Sequence, residues 1–489
     1  MDYKLAKERE EESILEKQEK VNNDHWRQKY HIQGIVGLIN DPNGFSQFNG
    51  KYHLFYQWNP LGTNHKNKTW AHSTSEDLLH WERRKTALRP DTWYSKDGVY
   101  SGSGIVIDGK LYLFYTGNVK NENGERESYQ CIAVSEDGEN FERWEPSIVN
   151  QPDGYTRHIR DPKIWEKDGK YYAVLGIQND NLEGKVVLYS SKNLEKWKFL
   201  GEIAGANKGT LGEFGYMWEC PDYFQLKDEK TGEIVDLLIA CPQGLDSEGD
   251  LYNNKYQSGY FFGNMDYEKP EFNIASKFIE LDRGNDFYAP QSMKDKEGRR
   301  IIVGWMGIPE EEDFPTINSE WLHCLTLPRE LKVIDGILYQ HPISEMKNIR
   351  GEKNQFDSHL LKGETEIGKG ITYELIARFS DINSDFGLKL RANADKSSET
   401  VIKFDFKDKK LILDRSMGEQ SDKRVRKVFL GDRKELELRI FVDNSSIEIF
   451  VNNGEEVFSS RIFPKVGADK IIVFSENNIN VNIEKWEWK

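Results

Sequence analysis

Apolar and polar positions alternate with a period of two through most of this chain, which is the signature of half-buried β-strands. Asn49-Gly50-Lys51-Tyr52-His53-Leu54-Phe55-Tyr56 is such a run. It opens on a turn and continues into aromatic and β-branched residues. The same phrase returns at Asp108–Tyr115 and Asp168–Leu175, and in weaker form at Gly232–Ile239 and Glu297–Gly304. Its glycines stand at 50, 109, 169, 232 and 298, at intervals of 59, 60, 63 and 66 residues. A recurrence near sixty residues predicts a repeat architecture. Upstream of each glycine lies a strand end marked by Pro or Gly: Asp41-Pro42, Ser101-Gly102, Arg160-Asp161-Pro162, Glu219-Cys220-Pro221 and Ala289-Pro290-Gln291. Three copies are followed by a Ser-to-Trp phrase, at 75–81, 135–144 and 191–197. An inner strand, a hairpin and an outer strand make a four-stranded blade, so residues 31–345 predict a five-bladed β-propeller.

The pattern changes at both ends. Residues 1–30 are rich in Glu and Lys and favour helix; they read as one solvated helical extension. Residues 346–365 turn polar and read as a linker. From 366 to 489 alternation resumes in short strands, as in Leu436–Val442 and Ile447–Val451, and predicts an antiparallel β-sandwich. The fold class is all-β, a propeller followed by a sandwich.

Composition narrows the chemistry. The chain has 489 residues, 67 Lys plus Arg and 82 Asp plus Glu, for a formal charge of −15. That balance speaks against nucleic acid or an anionic membrane as partner. Aromatic residues are 12% of the chain, which suits both a β core and the stacking of sugar rings. No apolar leader and no apolar run of about 18 residues occurs, so a cytoplasmic protein is expected. Cys131, Cys220, Cys241 and Cys324 lack metal-ligand spacing and read as reduced buried thiols. The pattern assigns no oligomeric state.

In a propeller, equivalent positions of the innermost strands face one central channel. Three of the five copies place an acid there: Asp41, Asp161 and Glu219. Gathering carboxylates costs stability, which argues for chemistry. Paired carboxylates flanking a scissile bond are the arrangement for glycoside hydrolysis, one protonated and one ionised. Glu219, beside Trp218, Met217 and Tyr216, is the candidate acid. Asp41, at a Pro-Asn-Gly turn with nearby backbone N–H groups, is placed to stay ionised. Arg160 is expected to keep Asp161 charged, so that it can hold sugar hydroxyls and steady positive charge in the transition state.

These motifs resemble those of glycoside hydrolase family 32, the β-fructofuranosidases, over roughly residues 30–489. Asn40-Asp41-Pro42-Asn43-Gly44 is similar to the family's nucleophile motif, Arg160-Asp161-Pro162 to its transition-state motif and Glu219-Cys220-Pro221 to its acid/base motif. Gln57-Trp58-Asn59-Pro60, Trp70-Ala71-His72, Tyr100-Ser101-Gly102-Ser103 and Val442–Phe450 also match. The resemblance implies a retaining double displacement, with Asp41 attacking the fructosyl C2 and Glu219 protonating the departing oxygen, their carboxyls about 5–5.5 Å apart. It implies a fructose pocket of Leu38, Ile39, Asn40, Gln57, Trp70, Ser101, Gly102 and Arg160, a small-molecule sugar as partner, and no metal or organic cofactor. Ala71 and Gly104 are small departures from the family pattern. In the loop 62–68, where many secreted relatives carry Trp, this chain has His65, Lys66 and Lys68, a candidate phosphate site. The expected substrate is therefore sucrose 6-phosphate, with plain sucrose or fructan, or sugar binding without catalysis, as alternatives.

Overall fold

The computed structural model describes residues 3–311 and 313–489. Five sheets succeed one another along the chain up to Pro342, each built from an inner strand outward. The inner strands are β1 (Gly37–Phe48), β2 (Val99–Ile107), β3 (Tyr155–Lys167), β4 (Met217–Lys227) and β5 (Tyr288–Lys294). Short strand Trp321–Leu322 pairs in parallel with the start of β1 and closes the ring. The hairpin turns that carry the repeat place Asn49, Asp108 and Asp168, and the glycine after each, at positive φ. Two successive positive-φ residues make the turn whose twist matches the flanking strands, hence the Asn-Gly and Asp-Gly phrases. Two of the three Ser-to-Trp phrases also recur as one structure: the Trp81 and Trp197 indoles donate to the carbonyls of Leu78 and Leu194.

Every inner strand carries a β-bulge. Register breaks fall between Ile39 and Pro42, Tyr100 and Gly102, Glu219 and Asp222, and Tyr288 and Gln291, and opposite Arg160–Lys163 between Val174 and Gly176. Asp161, Cys220 and Ala289 sit at the bulges with φ of 62°, 45° and 48°. A non-glycine residue held there costs on the order of 1–3 kcal/mol, and the bulge re-aims its neighbours out of the pleat. Gly102 serves the same purpose differently: a Cβ there would stand 2.0 Å from the Phe114 carbonyl oxygen, so no larger residue fits.

Two long strands organise the second half, β6 (Arg350–Lys369) and β7 (Lys470–Trp488). They pair with each other, and the two halves of β7 then join different strands, Phe386–Ala392 and Tyr373–Ser380. Bulges let the pair pass from one antiparallel layer to the other, and Leu375, Leu388, Ile402, Ile440, Val473 and Ile483 fill the core between them. The expected linker at 346–365 is therefore mostly strand. Its surface side is charged because β6 is an outer strand, and that polarity hid its pairing.

The N-terminal segment also departs from expectation. Helix α1 (Tyr3–Asn22) exists, but one side is docked rather than solvated; Met1 and Asp2 of the expected extension lie outside the described residues. Glu10 is buried against Arg89 (2.9 Å) and Thr86 (2.7 Å), and Ser13 donates to the Pro60 carbonyl. Residues 24–32 then run between propeller and sandwich. The Trp26 indole donates to Pro464 O and the backbone N–H groups of Lys29 and Tyr30 donate to Asp443.

Candidate active site

The repeat seen in the sequence is also the spacing between contacting groups of adjacent blades. Gly102 N donates to Asn43 Oδ1 (2.8 Å), Cys220 N to Asp161 Oδ2 (3.0 Å) and Arg160 Nε to Glu219 Oε1 (2.8 Å), each pair 59 residues apart. The bulges bring these side chains to one end of the channel.

Asp41 is held from two sides. Ser101 Oγ donates to its Oδ2, and Asn40 Nδ2 donates to Oδ1 at 2.9 Å. Gln57 fixes both donors, accepting from Asn40 (2.6 Å) and donating to Ser101 (2.8 Å). Asn43 donates to the Asp41 carbonyl, locking the Pro-Asn turn. Burial pushes the Asp41 carboxyl above its ordinary range, with Glu219 adding to the rise, while Ser101, Lys68 and Asn40 oppose it.

Glu219 has a different surround. Besides Arg160, it accepts from Gln243 Nε2 (2.7 Å) and the Tyr288 hydroxyl (2.8 Å). Its side chain keeps 18% exposure and so stands nearer the mouth than Asp161, at 4%. Asp161 and Glu219 are not at equivalent positions. Asp161 shares its place with Cys220 and Ala289, each followed by Pro; Glu219 is one residue earlier, equivalent to Arg160 and Tyr288.

Asp161 lies between the other two acids. Burial, then the nearby Glu219, push its carboxyl up to about 7, against the pull of Arg160. Arg160 pulls toward the charged form, as expected, but burial and Glu219 outweigh it. Arg160 Nε turns to Glu219 at 2.8 Å and stays 4.0 Å from Asp161. The Cys220 thiol stands 3.6 Å from Asp161 and 3.9 Å from Asp41, and burial with these carboxylates keeps it protonated. It is a donor here, not a nucleophile.

Leu38, Ile39 and Trp70 are fully buried, with the Trp70 indole donating to Tyr100 O. The basic loop divides. Lys66 is exposed, but Lys68 is buried with Nζ on Asn40 Oδ1 and on His65 Nδ1. Burial and Lys68 hold His65 neutral, its pKa down at about 2, and its ring packs edge-on against Trp305. Two of the three expected phosphate ligands therefore face inward beneath Asn40. Asn43, Gln243 and Tyr288 complete the site without having been singled out. Tyr288 could have been found one residue upstream of the Ala-Pro that marks the fifth repeat. Gln243 carries no motif and is brought in only by strand pairing with Met217.

Residues 31–342 match the Glycosyl hydrolases family 32 N-terminal domain and residues 345–487 the Glycosyl hydrolases family 32 C terminal. The chain belongs to glycosyl hydrolase family 32 and is a glycoside hydrolase. It is 42% identical over 480 residues to a Bacillus subtilis (strain 168) protein named sucrose-6-phosphate hydrolase, covering 97% of each chain. A Salmonella typhimurium protein of the same name is 42% identical over 93% of this chain and 92% of its own. Among solved structures, sucrose-6-phosphate hydrolase from Lactobacillus gasseri superposes with a TM-score of 0.88 at 33% identity, covering 98% of this chain and 96% of that one. A mutant Bombyx mori GH32 β-fructofuranosidase in complex with sucrose gives 0.82 at 32% identity, covering 100% and 99%.

Proposed function

We propose that this protein is a retaining β-fructofuranosidase that hydrolyses sucrose 6-phosphate, and sucrose more slowly, to fructose and glucose 6-phosphate or glucose. The observation that carries the reading is the unlike treatment of two carboxyls at one channel mouth. Asp41 is fixed by Ser101 and Asn40 at the pocket base, and Glu219 is aimed from the rim by Arg160, Gln243 and Tyr288. An Asp41 oxygen attacks C2 of the fructosyl unit as the C2–O bond breaks, and the Glu219 proton goes to the departing glucosyl oxygen. Water then attacks C2, giving a proton back to Glu219 and releasing Asp41. Asp161, in its ionised form, accepts from fructosyl hydroxyls and stabilises the positive charge that develops on the ring. Asn40 and Gln57 complete the fructose contacts, with Trp70 as the wall.

The named relatives support the phosphorylated substrate. A cytoplasmic location goes with this reading, because it places the enzyme where an imported, phosphorylated disaccharide is found. The test is kcat/KM on sucrose and on sucrose 6-phosphate side by side. The expected preference is a hundredfold or more for the phosphorylated sugar, about 2.7 kcal/mol of transition-state recognition. Equal values would make it a plain sucrose hydrolase. Early product analysed by NMR should be β-fructofuranose; the α-anomer first would exclude the double displacement.

A further inference from the structure

Arg126 stands at the active-site rim and has no part in the chemistry above. It opens the strand Arg126–Ser135, opposite Lys120 across a hairpin tip. The register that pairs Tyr100 with Thr116 puts this tip at the same end of the blade as Ser101 and Asp41. The Arg126 guanidinium lies 5.3 Å from the Tyr100 ring centroid, over its face. No carboxylate among the described residues is within ion-pair distance of it, whereas the nearby Arg157 is already paired with Glu127 at 3.1 Å. A half-buried guanidinium stays charged and pays for desolvation unless an anion meets it. Burial and the like charge of Arg160 lower its pKa, and Tyr100, Glu219 and Asp161 feel its field.

Next to it is His158. Arg160 Nη1 contacts His158 Nδ1 at 3.3 Å. Since guanidinium only donates, Nδ1 must accept, which leaves the proton on Nε2. Burial and the two arginines bring the His158 pKa down to about 4, so the ring is a neutral N–H donor at pH 7. Arg126, the Nε2–H of His158 and the Tyr100 phenol therefore offer donors beside Glu219, the acid that faces the leaving group. Lys68 is turned inward onto Asn40 and His65.

We propose that Arg126, standing over the Tyr100 ring and flanked by His158, binds the phosphate of a phosphorylated leaving sugar. The inference rests on the sucrose 6-phosphate reading and deepens it. A planar guanidinium presents two parallel N–H groups to phosphate oxygens, which a lysine cannot reproduce.

The experiment compares the intact protein with Arg126→Gln and Arg126→Lys. It measures kcat/KM on both substrates, and product binding by calorimetry with glucose 6-phosphate and glucose as probes. The expected result is a preference ratio at least thirtyfold lower in Arg126→Gln, carried by KM on sucrose 6-phosphate, partial retention in Arg126→Lys, and loss of the glucose 6-phosphate heat. Wild-type preference that survives in Arg126→Gln overturns the inference and leaves the substrate reading standing. An equal fall on both substrates overturns it too, by placing Arg126 in support of Arg160. No preference in the wild type removes the substrate reading itself and this inference with it. Arg126→Lys keeps the charge and the cation over Tyr100, so it answers the question even if Arg126→Gln does not fold.

Discussion

Two regions of this molecule bury carboxylates, and they treat them in opposite ways. At the seam between propeller and sandwich, buried carboxylates meet cations. His31 takes Asp443 at one ring nitrogen (2.8 Å) and Glu448 at the other (2.9 Å), and Arg329 bridges Glu448 (2.7 Å) to Asp282 (3.1 Å). The pKa values of Asp443 and Glu448 are lowered despite full burial, because His31 and Arg329 outweigh desolvation. In the channel, Asp41 and Asp161 are equally buried but raised, because desolvation and neighbouring acids outweigh Ser101, Lys68 and Asn40 at Asp41 and Arg160 at Asp161. The seam favours the ionised form of Asp443 and Glu448; Asp282, even with Arg329 beside it, is raised to about 6 by burial. The channel withholds that stabilisation, as sites of acid–base chemistry do.

The comparison breaks most sharply at the acids themselves. Asp41→Asn and Glu219→Gln should each lower kcat on the order of 10⁴-fold or more, as loss of one member of a catalytic unit does, with the melting temperature held or raised. Unchanged kcat in either would remove the assigned chemistry. At the seam the effect moves to stability: Arg329→Leu leaves Asp282 without its cation and Glu448 with His31 alone, and should cost about 3–5 kcal/mol in denaturant unfolding. An undiminished midpoint would show that water reaches the seam.

A smaller effect of opposite sign is expected from Asp161→Asn. The Asp161 pKa is raised in the folded state from 3.8 to about 7, so folding binds its proton between those values and stability falls as pH rises through them. Asp161→Asn should therefore be more stable than wild type at pH 8, by on the order of 1–3 kcal/mol, and no more stable at pH 3. Wild-type kcat/KM should show an ionisation near 7 that this substitution removes; since three acids share the site, that value belongs to the cluster.

The gentlest test is the alkaline limb of the seam. The His31 pKa is raised from 6.5 to about 9 by Asp443 and Glu448, against burial. Its contribution is fully present below pH 6.5 and is lost as pH rises through 9. The lowered Asp443 and Glu448 contribute above their unfolded values and lose that contribution as pH falls through their folded ones. Thermal melts of His31→Gln should lack the decline toward pH 9 seen in the wild type. Parallel declines would place the titration elsewhere.

Much of this was legible along the chain. Positive-φ turns demand Asn-Gly and Asp-Gly, and alternation follows from one face of each strand being buried, so the blades, their number and the strand ends carrying Asp41, Asp161 and Glu219 could be read from local chemistry. The outer strand β6 was missed because a strand paired along one side and wet on its face looks like any polar segment. Residues 24–32 were missed because the partner that fixes them, Asp443, lies more than 400 residues away.

What the sequence by itself determined is the repeat and the residue types delivered to each channel strand. Those depend on backbone conformations and periods that each segment carries alone. Only the tertiary structure decided which acid Arg160 serves, that Lys68 turns inward to Asn40, and that Arg126 stands near Glu219 with no carboxylate of the described residues at ion-pair distance. Charge pairing and desolvation depend on distances between blades, and a bulge of one residue is enough to exchange which side chain points into the channel.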